Sequence, residues 1–98
     1  MPARRDAARE LADLDAVVSA LDHPARRHVL VVLRANGGRM AAGEVASRFS
    51  CTWPTTSRHV KRLSDAGLLA VERRGRRRIY RLDVSRLAVL RRWLDWFS

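Results

Sequence analysis

Few residues in this chain have the type and spacing to do covalent or metal chemistry. Cys51 has no second thiol to pair with, and His23, His28 and His59 are scattered, with neither an H-x-x-x-H pair nor a Cys/His metal set among them. Catalysis needs a nucleophile, a base and an orienting group that converge, and 98 residues with these candidates offer no such constellation. The expectation is a protein that is not an enzyme, with no metal and no cofactor. What the chain does hold is positive charge: Lys and Arg number 20 against 10 Asp and Glu, a formal net charge of +10, and nearly all of the excess is arginine. The planar, five-donor guanidinium suits phosphates and base edges, so this balance points to a polyanion wherever the charges cluster.

They cluster in two places. The stretch "RRGRRR" sets Arg73, Arg74, Arg76, Arg77 and Arg78 around Gly75. A dozen residues earlier, "TWPTTSRHVKRL" supplies Thr52, Trp53, Thr55, Ser57, Arg58, His59, Lys61 and Arg62. On a helix these would give a basic, hydroxyl-bearing face able to enter a major groove, with its N-terminal half toward base edges. Arg58 is placed for a bidentate guanine contact or a phosphate contact, while Lys61 and Arg62, further from the helix start, are positioning charges. The arginine-rich stretch would lie on the neighbouring backbone or minor groove.

The elements that must position these residues follow from periodicity. Apolar residues three or four apart from Ala7 to Leu21 mark an amphipathic helix, preceded by a six-residue basic arm. In "LDHPARRHVLVVLRANGG", Asp22 is the expected cap, Pro24 sits in the first turn, and Asn36-Gly37-Gly38 is the stop. Ala25, Val29, Leu30, Val32 and Leu33 form the inward face, with His28 beside it as a packing or surface residue. "MAAGEVASRFS" is a short third helix burying Val45, Ala46 and Phe49. A fourth helix spans 52–66, with Thr52 as cap, Pro54 in its first turn, Thr56, Val60 and Leu63 inward, and Ala66-Gly67 as its end.

The pattern then changes to two extended runs, "LLAVERR" and "RRRIYRL", hinged at Gly75: a β-hairpin whose tip carries more like charge than folding can explain. Asp83 caps a last helix with Val84, Leu87, Leu90, Leu94 and Phe97 in one stripe, widened by Trp93 and Trp96. The expected fold is mainly α with a β-hairpin wing, a winged helix-turn-helix in the order α-α-α-α-β-β-α, with residues 1–98 forming one domain. Leu11, Leu14 and Val18 of the first helix and Leu87, Leu90, Trp93, Leu94 and Phe97 of the last are the expected homodimer interface. The longest apolar run, residues 29–33, is far short of a membrane span, and the N-terminus shows no secretory h-region. With its single cysteine the chain reads as cytoplasmic.

Three stretches, "LDHPARRHVLVVL", "GEVASRFSCTWPTTSRHVKRLSDAGLL" and "VERRGRRRIYRL", resemble the ArsR/SmtB family of bacterial repressors. That family shows a D-P-x-R-x-x-I-L second helix, an S-x-x-x-S-R-H-L recognition helix followed by A-G-L, and a wing ending in Y-x-L. The resemblance implies a symmetric dimer built through the first and last helices, a repressor on a partly palindromic double-stranded DNA operator. It also marks departures. Ala46 and Arg48 stand where the family's third-helix thiolates would be, and the last helix has Asp83 and Asp95 but no histidine. The usual metal sites are therefore absent, and the sequence assigns no inducer. A sensor with atypical ligands and a protein-interaction module reusing the fold stay open as alternatives. Cys51 reads as a turn residue, with a redox role as its alternative. Trp53 stands where the family commonly carries a base-reading Gln; its indole can contact DNA or pack locally.

Overall fold

The computed structural model describes residues 4–49 and 52–98, with the backbone alone at residues 4–6 and 53. Five helices and three strands follow the order α1 (Arg4–Leu21), α2 (Pro24–Ala35), β1 (Arg39–Ala41), α3 (Ala42–Ser47), α4 (Trp53–Asp65), β2 (Leu69–Arg74), β3 (Arg77–Leu82) and α5 (Val84–Asp95). None of the described helices is long and apolar enough to cross a membrane.

The helix ends show how local chemistry sets the boundaries. α2 begins at Pro24 because His23, not Asp22, is its cap: the His23 Nδ1 accepts from the Ala25 N–H at 3.1 Å. It ends where the Asn36 side chain donates to the Val32 carbonyl at 2.7 Å and Gly37 and Gly38 turn to positive φ. Thr52 does occupy the N-cap position of α4, but its hydroxyl bonds the Thr55 hydroxyl at 3.1 Å rather than a backbone N–H. The far end of α4 closes through Gly67, at φ +83°, with the Leu68 N–H returning to the Leu63 carbonyl at 3.0 Å. Asp83 caps α5 as expected, accepting from the Ser85 N–H at 3.1 Å.

Two further expectations need correction. α1 already begins at Arg4, within the segment expected to be an arm; residues 1–3 lie outside the described ones. The chain also has a third strand. Met40 and Ala41, expected in the third helix, belong to β1, which pairs antiparallel with β3 in the sheet order β1-β3-β2. The Gly37-Gly38 turn delivers the chain alongside β3, where the Leu82 N–H donates to the Gly38 carbonyl at 2.8 Å. Three residues are too few to show a period of two, so the strand had no signal of its own.

The core joins α1, α2, α4 and the sheet. Val17, Val29, Leu33, Val45, Leu63, Leu68 and Tyr80 are fully buried in it, and Met40 lies opposite Tyr80 across β1 and β3. Arginines stitch the helices around this core. Arg26 and Arg27 of α2 donate to the Ala20 and Leu21 carbonyls at the end of α1, at 2.6 and 2.8 Å. Arg86 of α5 donates from Nε to the Ala66 carbonyl at the end of α4, at 2.8 Å, and pairs through Nη1 with Asp13 of α1 at 3.2 Å. The bonds to Ala20, Leu21 and Ala66 each satisfy a carbonyl at a helix end, where no intrahelical partner is available.

Gly67 is where this scaffold has least room. A Cβ there would lie 2.7 Å from the Arg86 Nε, on a backbone already at positive φ. Gly67→Ala is expected to destabilise the fold by about 1–2 kcal/mol. Gly43→Ala, within α3 with nothing inside 4 Å, is expected to stabilise it by about 0.5–1 kcal/mol. Urea unfolding of the two variants beside the parent checks both signs.

Candidate nucleic-acid interface

α4 is held by its inner face, where Thr56, Val60, Leu63 and Ala66 are buried. The other residues of this helix fall into three directions. Ser57 and Lys61 face the wing: with Val60 and Ser64 they line a groove of about 220 Å³ closed by Val71, Arg78 and Tyr80. Lys61 also pairs with Asp65 one turn on, at 3.1 Å, both side chains well exposed. Arg58 and Thr52 are exposed, and Thr55 is half-buried.

Two residues expected on the same face point elsewhere. Arg62 turns to α1 and donates to the Ser19 hydroxyl at 3.1 Å. His59 meets the start of α2, its ring 4.5 Å from that of His23, centroid to centroid, at a tilt of 48°. Both follow from the close packing of α4 against α1 and α2, which the periodicity of α4 alone does not reveal. Trp53 opens α4, but its side chain, like the whole of Ser50 and Cys51, lies outside the described residues.

The wing places like charges directly opposite one another. In the β2–β3 register Arg73 faces Arg78 and Arg74 faces Arg77, across the turn at Gly75. All five tip arginines are exposed. Arg74 reaches Glu72 and Arg77 reaches Glu44, each only at 3.9 Å, whereas Arg81, further down the strand, pairs with Glu72 at 2.9 Å. Arg73, Arg76 and Arg78 have no carboxylate partner among the described residues. Like charges set directly opposite each other destabilise a hairpin. The cost falls where folding gains nothing from it.

The first and last helices pack along each other, tied by Arg92 to Glu10 at 2.8 Å. Of the apolar residues expected on their outer surface, Leu11, Val18, Trp93, Leu94 and Phe97 are exposed. Leu14 is buried, and Leu87 and Leu90 are half-buried against the core, so the monomer itself covers much of these three. Trp96, 85% exposed, belongs to the outer surface instead, next to the edge-on pair of Trp93 and Phe97 at 5.0 Å. Among the described residues, no group of three or more His, Cys, Asp or Glu is placed to hold a metal ion.

A family profile described as a helix-turn-helix domain matches residues 21–72. The transcriptional repressor SdpR of Bacillus subtilis is 32% identical over 80 residues, which cover 82% of this chain and 83% of SdpR. Among solved structures, an ArsR-like transcriptional regulator from Rhodococcus sp. RHA1 superposes with a TM-score of 0.76 at 26% identity, over 89% of this chain and 80% of that one. A possible ArsR-family regulator of Mycobacterium bovis, solved in solution as a homodimeric winged helix-turn-helix DNA-binding domain, gives 0.73 at 28% identity over 97% and 88%.

His59 is expected to make the α2–α4 contact sensitive to acid. Burial first, then the charges of His23, Arg26 and Arg58, hold the pKa of His59 below its usual 6.5. A histidine with a lowered folded pKa favours the neutral form, so its contribution is complete above pH 6.5 and is lost as pH falls through the folded value. Stability is expected to drop between pH 7 and pH 5, and His59→Gln to flatten that drop. Urea midpoints at the two pH values, for parent and variant, measure it.

Proposed function

The chain belongs to the ArsR family of winged helix-turn-helix DNA-binding transcriptional regulators, and from this premise we propose that it acts as a homodimeric repressor on a partly palindromic operator. The observation that carries this reading is the wing: opposed arginines, of which Arg73 and Arg78, like Arg76 in the turn, have no carboxylate among the described residues, beside a helix whose outward residues are hydroxyls and cations. A phosphate backbone turns that repulsion into binding, because each neutralised phosphate also releases counterions.

In this arrangement Arg58, Thr52 and Thr55 reach toward base edges from the first half of α4, together with Trp53. Ser57 and Lys61 share the groove with Arg78 and hold the adjacent backbone. Arg73, Arg74, Arg76 and Arg77 grip phosphates beyond it. Arg62 and His59 act behind this surface, by fixing α4 against α1 and α2. The exposed apolar residues of α1 and α5 close the dimer; the relative from Mycobacterium bovis is itself homodimeric. A two-fold dimer reads two half-sites separated by about one helical turn or a multiple of it. Its place of action is the cytoplasm, where the operator lies.

DNA-binding measurements on the parent and two variants test this. A gel shift with the gene's own upstream region should show preference over random DNA at physiological salt; no preference sinks the reading. If a dimer engages about 6–10 phosphates, affinity should fall by roughly 10³–10⁵ between 50 and 200 mM salt. The Arg76→Ala/Arg77→Ala variant should bind more weakly on all sequences and lower the salt slope by about 1 per phosphate lost. Trp53→Gln should shift operator preference; unchanged preference and affinity would assign that indole to packing.

A further inference from the structure

A groove of about 600 Å³ opens between the C-terminal half of α2, the end of β3 and the start of α5. Leu30, Val31, Ala35, Leu82, Val84 and Leu87 make its wall aliphatic, and its polar side chains are Arg34 and Arg91. Val31 and Val84 stay 64% and 62% exposed, apolar surface that folding leaves in water. The two arginines are also unlike those that stitch the fold. Arg26, Arg27, Arg62, Arg86 and Arg92 each hold a carbonyl, a hydroxyl or a carboxylate, whereas Arg34 and Arg91 have neither hydrogen bond nor ion pair among the described residues.

We propose that this groove is a ligand site for an amphipathic carboxylate, an aliphatic or arylalkyl acid, and that it is the regulator's effector site; the second half rests on the DNA-binding reading above. The apolar body lies along the valine and leucine wall, and Arg34 and Arg91 hold the carboxylate, whose geometry a guanidinium matches with two parallel bonds. The site is an open groove rather than an enclosed cavity, and its volume falls within the ~300–1,000 Å³ usual for small-molecule clefts. Charge and wall together select this class. A neutral hydrocarbon leaves both guanidinia unused, and a bare phosphate leaves the aliphatic wall wet. A second copy of the chain would bring its own Arg34 and Arg91 against like charge.

Each wall of the groove also leads to the DNA-facing elements. α2 reaches α4 through its cap, His23, which rests on His59. Leu82 ends the wing strand β3, and the next residue, Asp83, donates from its N–H to the Leu68 carbonyl at 2.9 Å, just beyond α4. α5 carries Arg86, which holds the end of α4 itself. A ligand seated between α2 and α5 therefore acts on the supports of both α4 and the wing.

The test titrates the full chain, without DNA, with decanoate and with decanol in a calorimeter. Saturable binding of one decanoate per protomer, at least tenfold tighter than decanol, is expected. Arg34→Gln/Arg91→Gln should lose at least tenfold, while Arg9→Gln/Arg48→Gln, with the same change of net charge on exposed arginines elsewhere, should not. Val31→Glu, at an exposed position, should abolish binding with an unchanged circular dichroism spectrum. Equal binding of acid and alcohol, no binding, or undiminished binding by Arg34→Gln/Arg91→Gln overturns the site. So does a change in sedimentation on Val31→Glu, which would assign this face to contact between copies. With operator DNA present, decanoate should weaken the complex at least tenfold in the parent and not in Arg34→Gln/Arg91→Gln; binding without that effect overturns the effector role. A chain that ignores operator DNA before any decanoate is added refutes the DNA reading alone, since the calorimetry is independent of it.

Discussion

Arg86 donates from Nε to the Ala66 carbonyl and through Nη1 pairs with Asp13, so a single guanidinium joins the end of α4 to both the first and the last helix. Much else depends on this junction. α4 can present a face to DNA only if its axis is fixed relative to the helices that carry the exposed apolar surface, and apolar contacts alone are non-directional. A charged, planar donor held by a carboxylate and a carbonyl supplies the direction. The Arg86 side chain is about one-third exposed, shielded enough to strengthen the bonds without the penalty of full burial. Gly67, the residue that turns the chain out of α4, leaves the space the guanidinium occupies.

The arginines thus divide by what they touch. Arg26, Arg27 and Arg86 satisfy the last carbonyls of helices, a position where a cation also meets the favourable end of the helix dipole. Arg81 and Arg92 pair with Glu72 and Glu10. Those of the wing tip instead confront each other, Arg73 with Arg78 and Arg74 with Arg77. A net charge of +10 on 98 residues is therefore not spread evenly over a solvated surface. Part of it is internal stitching, and part is concentrated at the wing tip, where it repels itself.

Much of this arrangement was legible in the residues. The stop at Gly67, the hairpin around Gly75 and the cap at Asp83 each have a local cause, a positive φ or a carboxylate at a helix start, and local causes can be read locally. The tip arginines were legible as a cluster for the same reason. What was not legible depends on partners distant in sequence. β1 exists because β3, some forty residues later, offers it hydrogen bonds. Leu14, Leu87 and Leu90 carry the same periodic signal as Leu11 and Leu94, and only the packing of α1 and α5 against the core and each other divides the stripe into inner and outer parts. Arg62 and Arg58 are likewise indistinguishable by type and both are exposed, yet the Ser19 hydroxyl draws Arg62 alone toward α1. The contest between Asp22 and His23 for the cap of α2 turned on which side chain folds back onto the helix, and His23 is the one that also leans on His59.

The short strand β1 has a mechanical consequence. It pairs with β3 at Arg81, Tyr80 and Ile79, and there it stops. Beyond that point the wing is two strands alone, and all five of its tip arginines lie on this overhang. The wing is a cantilever with a clamped root and a charged free end, two residue pairs long, or roughly 7 Å at the usual rise of a strand. A beam this short bends little along its length but can twist, because a two-stranded ribbon has no third strand to hold it flat. The charged tip can thus twist while its root stays locked to the same sheet that packs on α4.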